Sequence, residues 1–221
     1  MSDRQYTSAT QRLSTLPEVF TGSDLTIVFG WKSAVASTYL ALWRKAGLVK
    51  SLGGRSDVHM NLVQNRGVNP EQALRRAYPR AIKVGVDVLR QAGWTTQIPS
   101  VVDVAIPKAS GLHAVEGFHL RHRSDKWFEA VSSGVQKVTL GIDQLQPTWA
   151  LADMLARAQD RRVQEAWLLD PDDLDLDAVF EDKSLPQAMA ALGVAVHGPE
   201  DYEGLYAAWM GTKGHYASTN K

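Results

Sequence analysis

The apolar positions between residues 31 and 63 follow first a helical and then a strand-like spacing. The helical part is marked by Ala36, Leu40 and Trp43. This spacing predicts a helix with one buried face, and Gly47 suits its end because glycine tolerates a left-handed backbone. Residues 48–52 and 58–63 predict two short strands around a turn that reads Gly-Gly-Arg-Ser. A helix followed by a basic-tipped hairpin is typical of a winged helix-turn-helix, which places the helix in the DNA major groove.

Shorter patterned segments precede this helix. Residues 3–16 predict a first helix, which ends before Pro17, and residues 25–29 predict a second, which Gly30 ends. Three helices and a hairpin within about 65 residues is a common size for a DNA-binding domain. We therefore predict a winged helix-turn-helix domain over residues 1–66.

Beyond a linker at 64–70, helical and strand-like patterns are mixed. Helices are predicted at 70–79, 147–160, 185–192 and from about 199, and strands at 100–106, 118–123 and 134–140. Residues 80–85 fit either a strand or the start of a helix that ends at Gly93. An acidic turn at 170–177 is placed to cap a further helix. These elements predict a mixed α/β domain over residues 67–221, and an α+β fold for the chain.

The charges are unevenly distributed although the net charge is zero. Residues 1–66 hold 8 Lys/Arg and 4 Asp/Glu, net +4, and residues 67–140 hold 10 and 6, again net +4. Residues 141–221 hold 6 and 14, net −8. This gradient indicates either a half that binds a polyanion or an acidic half that keeps the protein soluble.

Composition excludes several classes of protein and site. The chain has no cysteine, which rules out disulfides, thiolate zinc sites and a cysteine nucleophile. No apolar run approaches the roughly 20 residues that span a bilayer. The first residues are polar and predict a helix rather than a signal peptide. We expect a bacterial-type cytoplasmic protein.

Candidate chemistry is sparse. His113, Glu116, His119 and His122 are spaced like metal ligands on a helix, but the surrounding sequence favours a strand, on which His119 and His122 face opposite sides. The acidic run at 170–177 lacks the glycine and glutamate of a calcium loop. No phosphate-binding, dinucleotide-binding or nucleophile-elbow motif occurs. We predict no metal, no cofactor, no catalytic residues and no enzymatic activity.

The basic and short polar residues of the winged helix carry a clearer signal. Side chains of these types contact phosphates and base edges. The predicted DNA-binding residues are Lys32, Ser33, Ser37, Thr38, Arg44, Lys45, Lys50, Arg55, His59, Arg75, Arg76 and Arg80. Each has a structural alternative; Arg44 and Lys45, for example, also suit the negative end of a helix dipole.

Three segments resemble one known family. ALRRAYPRAIKVGVDVLRQAGWTTQIP at 73–99 is similar to a signature of the AbiEi antitoxins of type IV toxin–antitoxin systems. LQPTWALADMLA at 145–156 and DPDDLDLD at 170–177 resemble the C-terminal half of that family. The resemblance covers roughly residues 70–180 and rests on the order of the pieces.

The resemblance implies a function. Such proteins take part in phage defence, and their winged helix binds inverted repeats in double-stranded DNA of their own promoter, repressing the operon. Their C-terminal domain counters a nucleotidyltransferase toxin without forming a stable complex with it. This chain departs from the family in its wing, which carries only Arg55 at its tip and Lys50 before it. That departure favours binding by two copies, or further contacts from Arg75, Arg76, Arg80 and Lys83.

Two other functions stay open. The acidic region 141–221 suits a winged-helix protein that acts through protein–protein contacts, without DNA. The histidines at 113–122 are the only residues that the sequence offers to an unrecognised enzyme.

Overall fold

Helices and two β-sheets make up the computed structural model, which describes residues 8–53, 56–108, 114–160, 169–195 and 204. The α+β prediction is confirmed at this level. The chain divides into two units. Unit 1 comprises residues 1–81, 112–116 and 139–142, and unit 2 comprises residues 82–111, 117–138 and 143–221. The predicted domain boundary after residue 66 stays a prediction, and residues 67–81 group with unit 1.

The described part of unit 1 contains four helices and a three-stranded antiparallel sheet with the order β1-β3-β2. Its elements are α1 (Ala9–Leu13), β1 (Val19–Thr21), α2 (Gly22–Phe29), α3 (Ser33–Lys45), β2 (Val49–Ser51), β3 (Val58–Asn61) and α4 (Pro70–Ala77). The hairpin strands lie where the sequence predicts them, although β3 ends two residues early. The sequence did not predict β1.

Local capping explains where the helices of unit 1 begin. The Thr21 hydroxyl accepts a hydrogen bond from the backbone N–H of Asp24, and the Asp24 carboxylate accepts one from the N–H of Thr21. This reciprocal cap starts α2 at Gly22, three residues before the predicted start. Asn69 caps α4, whose first residue is Pro70. Helix α3 ends as predicted, because Gly47 adopts a left-handed φ of 66°.

A buried amide joins α1 to the sheet of unit 1. The Asn61 side chain is fully buried, and its Nδ2 donates to the carbonyl oxygens of Leu13 at 2.7 Å and Leu16 at 3.3 Å. The apolar core of unit 1 comes from α1, β1, α2, α3 and β2, and from Leu16 between α1 and β1: Leu13, Leu16, Phe20, Leu25, Ala36, Leu40, Trp43 and Val49. The predicted buried face of α3 is confirmed.

The described part of unit 2 is organised on a five-stranded mixed sheet with the order β6-β5-β4-β8-β7. Its elements are β4 (Ile82–Lys83), α5 (Val86–Gln91), β5 (Val102–Pro107), β6 (Phe118–Arg123), α6 (Asp125–Ala130), β7 (Val135–Gln136), β8 (Asp143–Leu145), α7 (Pro147–Gln159), α8 (Leu176–Glu181) and α9 (Leu185–Ala191). Strands β5 and β6 pair in parallel, as do β4 and β8. The other two pairs are antiparallel.

Several predicted elements of unit 2 change in extent. The predicted strand at 134–140 is reduced to Val135–Gln136, and the sequence did not predict β8 or α6. Of the two alternatives for residues 80–85, the strand is confirmed at Ile82–Lys83, and the helix that ends before Gly93 begins only at Val86. Asp175 caps α8, which confirms the capping role of the acidic turn. The helix predicted from 199 lies outside the described residues.

Helix α7 is the central helix of unit 2, and most of its residues are buried. Leu151 and Leu155 are fully buried and belong to a core that also includes residues of α5, α8 and α9. The indole of Trp149 packs directly against Gly134, so that a side chain at residue 134 would overlap the ring. This contact joins α7 to the turn before β7.

Among the described helices, no single one is long and apolar enough to cross a membrane. Helices α2 and α3 have the necessary length and hydropathy only when taken together, and they are bent by 115° with respect to each other.

Candidate functional site

Helix α3 exposes polar and basic residues both on one flank and on the side opposite its buried face. Ser33, Ser37 and Arg44 lie on the flank, within about 40° of one another around the helix axis, given 3.6 residues per turn. Thr38 and Lys45, spaced by seven, lie along the middle of the outward face. All five side chains are exposed. The Thr38 hydroxyl donates to the carbonyl oxygen of Ala34 at 2.9 Å, which leaves its lone pairs to accept from a ligand.

Stacked aromatic rings hold the start of α3 in place. The Trp31 ring stacks on Phe29 with 4.7 Å between centroids and on Tyr39 with 4.4 Å. The Arg12 guanidinium lies over the rings of Trp31 at 5.4 Å and Tyr39 at 4.9 Å, which is cation–π distance. Lys32, the N-cap residue of α3, is exposed beside this cluster. The polar face therefore stands on a packed scaffold.

The hairpin contributes less positive charge than the sequence suggests. Lys50 lies in β2 with its Nζ 3.0 Å from the carboxylate of Glu116. Both side chains are exposed, so the pair is weak. Glu116 nevertheless places a negative charge beside the hairpin, where it opposes contact with phosphate. No local pattern signals this pairing, since 66 residues separate the two partners in sequence. Arg55 lies outside the described residues.

His59 is the predicted DNA contact that the structure argues against. Its side chain lies in β3 with only 5% of the residue exposed, and its ring packs 5.7 Å from that of Phe20. A side chain buried in this way cannot touch DNA without rearrangement of the sheet. Burial lowers the pKa of His59; Asp57 raises it in part, and Arg44 lowers it further. All four residues of β3 are buried, so neither face of this strand is open to solvent.

Three further predicted contacts lie on or just after α4. Arg75 and Arg76 are exposed at the C-terminal end of α4, and Arg80 is exposed after Pro79. Arg75 donates to the carbonyl oxygen of Gly141 at 3.2 Å. Arg76 lies 3.5 Å from the carboxylate of Asp24, the residue that caps α2. The structure thus gives Arg75 and Arg76 roles within unit 1 that do not require DNA.

The histidines considered as metal ligands do not converge. His119 lies 3.4 Å from the carboxylate of Asp103, whereas the His122 ring contacts the carbonyl oxygen of Pro107 at 3.3 Å. Within the described ranges, no group of three or more His, Cys, Asp or Glu side chains is arranged to hold a metal ion. His113 lies outside those ranges. The predicted strand over 118–123 is confirmed.

A charged cleft in unit 2 is the site that sequence reasoning missed. The Arg121 Nε donates to Asp103 at 2.7 Å, and Arg123 Nη2 donates to Asp153 at 2.8 Å. Arg157, one turn after Asp153 on α7, lines the same cleft. Arg121 and Arg123 are two residues apart in β6 and therefore share one face of the sheet. That spacing is the signal in the sequence that indicates a shared face.

Comparisons with known proteins bear on the fold. No family model matches the chain, and no curated protein matches it. The crystal structure of the RV2827C protein from Mycobacterium tuberculosis is similar to it, with a TM-score of 0.50 and 16% identity over 84% of this chain and 71% of that one. At this identity the similarity concerns the fold alone.

Proposed function

We propose that this chain is a DNA-binding transcriptional regulator, and that unit 1 is a winged helix-turn-helix with α3 as its recognition helix. The observation that carries the proposal is the exposed face of α3, where short hydroxyl side chains lie beside Arg44 and Lys45. The order of elements in unit 1, three helices and then a hairpin whose second strand pairs with β1, suits such a module.

The proposed contacts divide by chemistry. Lys32, Arg44 and Lys45 supply attraction to phosphates, which does not depend on sequence. Ser33, Ser37 and Thr38 are short enough for the helix to approach base edges, where hydroxyls both donate and accept. His59 is left out because it is buried, and Lys50 contributes only once it separates from Glu116.

The resemblance at 73–99 extends the proposal to an AbiEi-like antitoxin. In this reading the protein is cytoplasmic, is not an enzyme and represses its own operon through inverted repeats in the promoter. It counters a nucleotidyltransferase toxin without forming a stable complex with it. The support for this extension is the sequence resemblance alone, whereas the support for DNA binding also includes the α3 face.

A gel-shift titration with the DNA upstream of the chain's own gene tests DNA binding. We expect retention that weakens with salt, and Arg44→Ala and Lys45→Ala each to lower the salt slope by about one unit if that side chain touches a phosphate. Lys126→Ala, which removes an exposed cation in α6 of unit 2, is the matched control and should keep the wild-type slope. Absence of salt-sensitive retention at near-physiological ionic strength would refute the proposal.

Co-expression tests the antitoxin extension separately. If the extension holds, a nucleotidyltransferase gene lies beside this one. The chain should restore growth to cells that express that enzyme, and the double variant Arg44→Ala/Lys45→Ala should still do so. Growth arrest that persists with a folded antitoxin present would remove the antitoxin function while leaving the DNA-binding proposal intact.

A second candidate function is recognition of a protein partner by unit 1. Val35 and Leu42, spaced by seven on α3, are 41% and 55% exposed and form an apolar flank beside the polar face. A stoichiometric partner recovered with the wild type but not with Leu42→Ser, together with no retention of DNA, would favour this candidate.

A further inference from the structure

The cleft in unit 2 is lined by more arginine side chains than carboxylates. Five charged residues line it together with Val84, Gly85, Val86 and Met154: Asp103, Arg121, Arg123, Asp153 and Arg157. Three guanidinium groups face two carboxylates, which leaves one positive charge in excess. The cleft and the open solvent at its mouth together hold about 320 Å³ of space free of protein atoms, but only about 20 Å³ of it admits the centre of a water-sized molecule. The interior therefore holds little more than a water, and a larger ligand must bind at the mouth.

Arg157 carries the excess charge. Its usual helical partner, four residues earlier, is Asp153, but both oxygens of that carboxylate are already engaged. One accepts from Arg123 at 2.8 Å and the other from the indole N–H of Trp127 at 2.7 Å. Within the described part of the chain, no carboxylate lies within ion-pair distance of Arg157.

Arg123 is an incompletely satisfied donor in the same cleft. Only 9% of its side chain is exposed, and its Nε has no hydrogen-bond partner among the described residues. A buried donor without an acceptor costs free energy, more so when the group is charged. Its guanidinium also lies 5.2 Å over the ring of Trp127. The N–H groups of Trp127 and Arg123 therefore report on the interior of the cleft.

The electrostatics favour an added anion. Burial, together with the nearby charges of Arg123 and Arg121, lowers the pKa of Arg157 to about 10, although Asp153 and Asp103 raise it in part. Like charges held together in a desolvated cleft are stabilised by an anion placed between them. The guanidinium fork matches carboxylate and phosphate oxygens, and arginine is the preferred residue for both.

We propose that this cleft is a phosphate-binding site, formed by Arg157 and Arg123 with support from Arg121. Phosphate suits it better than carboxylate because β6 and α7 present their arginines from different directions. A tetrahedral oxyanion offers oxygens in three dimensions, whereas the oxygens of a carboxylate are coplanar. The ligand is inorganic phosphate or the phosphate group of a small monoester, bound at the mouth of the cleft because the interior is too small to enclose it. The site is separate from the proposed DNA-binding face of unit 1.

The Trp127 indole provides the readout. In a ¹⁵N-labelled full-length chain, its N–H signal is assigned with Trp127→Phe and then followed during titration with sodium phosphate at an ionic strength held constant with sodium chloride. We expect a saturable shift in the wild type. Arg157→Gln should weaken phosphate binding at least about tenfold, the order expected for one hydrogen bond to a charged group. Lys126→Gln, an exposed cation next to Trp127 in sequence, should bind as the wild type does.

A further variant and a second ligand distinguish the possible outcomes. Arg157→Lys keeps the charge but loses the fork, and we expect intermediate binding; it also serves if Arg157→Gln does not fold. The affinity for ribose 5-phosphate is then compared with the affinity for inorganic phosphate. Tighter binding of ribose 5-phosphate assigns the site to a phosphate ester, and tighter binding of inorganic phosphate assigns it to the free ion. Two outcomes overturn the proposal. One is a shift of the Trp127 N–H signal that grows without saturation, and the other is a saturable shift that is the same in the wild type, Arg157→Gln and Arg157→Lys. Arg157→Gln should retain promoter DNA normally, so failure here is distinguishable from failure of DNA binding.

Discussion

Arg123 and Asp153 form an ion pair that is almost wholly buried, with 2.8 Å between Nη2 and Oδ2 and side-chain exposures of 9% and 4%. The pair joins β6 to α7, the central helix of unit 2. Asp153 also accepts from the indole of Trp127, so one carboxylate organises three elements. Removing one partner of a buried pair leaves an uncompensated charge in the interior, which destabilises the fold far more than the loss of an exposed pair does.

We therefore predict that Asp153→Ala lowers the free energy of unfolding by about 3–5 kcal/mol. Urea denaturation followed by circular dichroism measures it. Glu129→Ala, an exposed carboxylate in α6, should change stability by less than about 0.5 kcal/mol. An Asp153→Ala protein as stable as the wild type would show that water solvates Arg123 in place of the carboxylate.

The burial of His59 predicts an acid-sensitive unit 1. Because burial lowers the pKa of His59 in the folded state, the unfolded state binds a proton first as the pH falls. The contribution of His59 to stability is therefore complete above its ordinary pKa of 6.5 and declines as the pH falls from 6.5 towards the lowered folded-state value. One proton contributes a slope of at most about 1.4 kcal/mol per pH unit.

His59→Gln should flatten this part of the stability profile, measured by urea denaturation between pH 7.5 and pH 5. Met60→Leu, a change at the next residue of β3 that introduces no titratable group, should keep the wild-type slope. Equal slopes for His59→Gln and the wild type would mean that His59 is not the group responsible.

The pair of Lys50 and Glu116 predicts an unusual gain of DNA affinity. Glu116→Gln releases Lys50 and removes a negative charge beside the hairpin. If unit 1 binds DNA as proposed, affinity should rise by up to about fivefold, because an exposed pair is worth no more than about 1 kcal/mol. Gel-shift titration at low salt measures this, with Glu129→Gln in unit 2 as the control. Equal gains from both variants would indicate only a change in net charge.

The close contact between Gly134 and the Trp149 ring predicts that a side chain at residue 134 destabilises unit 2. A Cβ at this position would overlap the indole of Trp149, which is 2% exposed and cannot move aside without disturbing α7. We expect Gly134→Ala to cost at least about 1–3 kcal/mol through overpacking. Gly193→Ala is the comparison: nothing lies within 4 Å of its added Cβ, and only its left-handed φ of 69° is strained. Thermal melts should place Gly134→Ala below Gly193→Ala in stability, and the reverse order would show that the core adapts.

The sequence by itself determined the elements that local interactions stabilise. The spacing of Ala36, Leu40 and Trp43 sets the buried face of α3, and Gly47 ends it. Asn69 with Pro70 starts α4, and Asp175 starts α8. Each of these signals acts within about one helical turn, so periodicity and capping suffice to read it.

Tertiary structure decided whatever depends on a distant partner. Strand β1 exists because three residues pair with β3, and Asn61 is buried because it reaches carbonyl groups more than forty residues earlier. The same holds for the burial of His59 and the pairing of Lys50 with Glu116. For the arginine cleft, the spacing of Arg121 and Arg123 marks only their shared face of the sheet, and their carboxylate partners are brought to them by packing. A hydrogen bond or ion pair between distant segments leaves no periodic trace in the chain, since its geometry arises only when packing brings those segments together. The chemistry of both candidate sites depends on contacts of this kind.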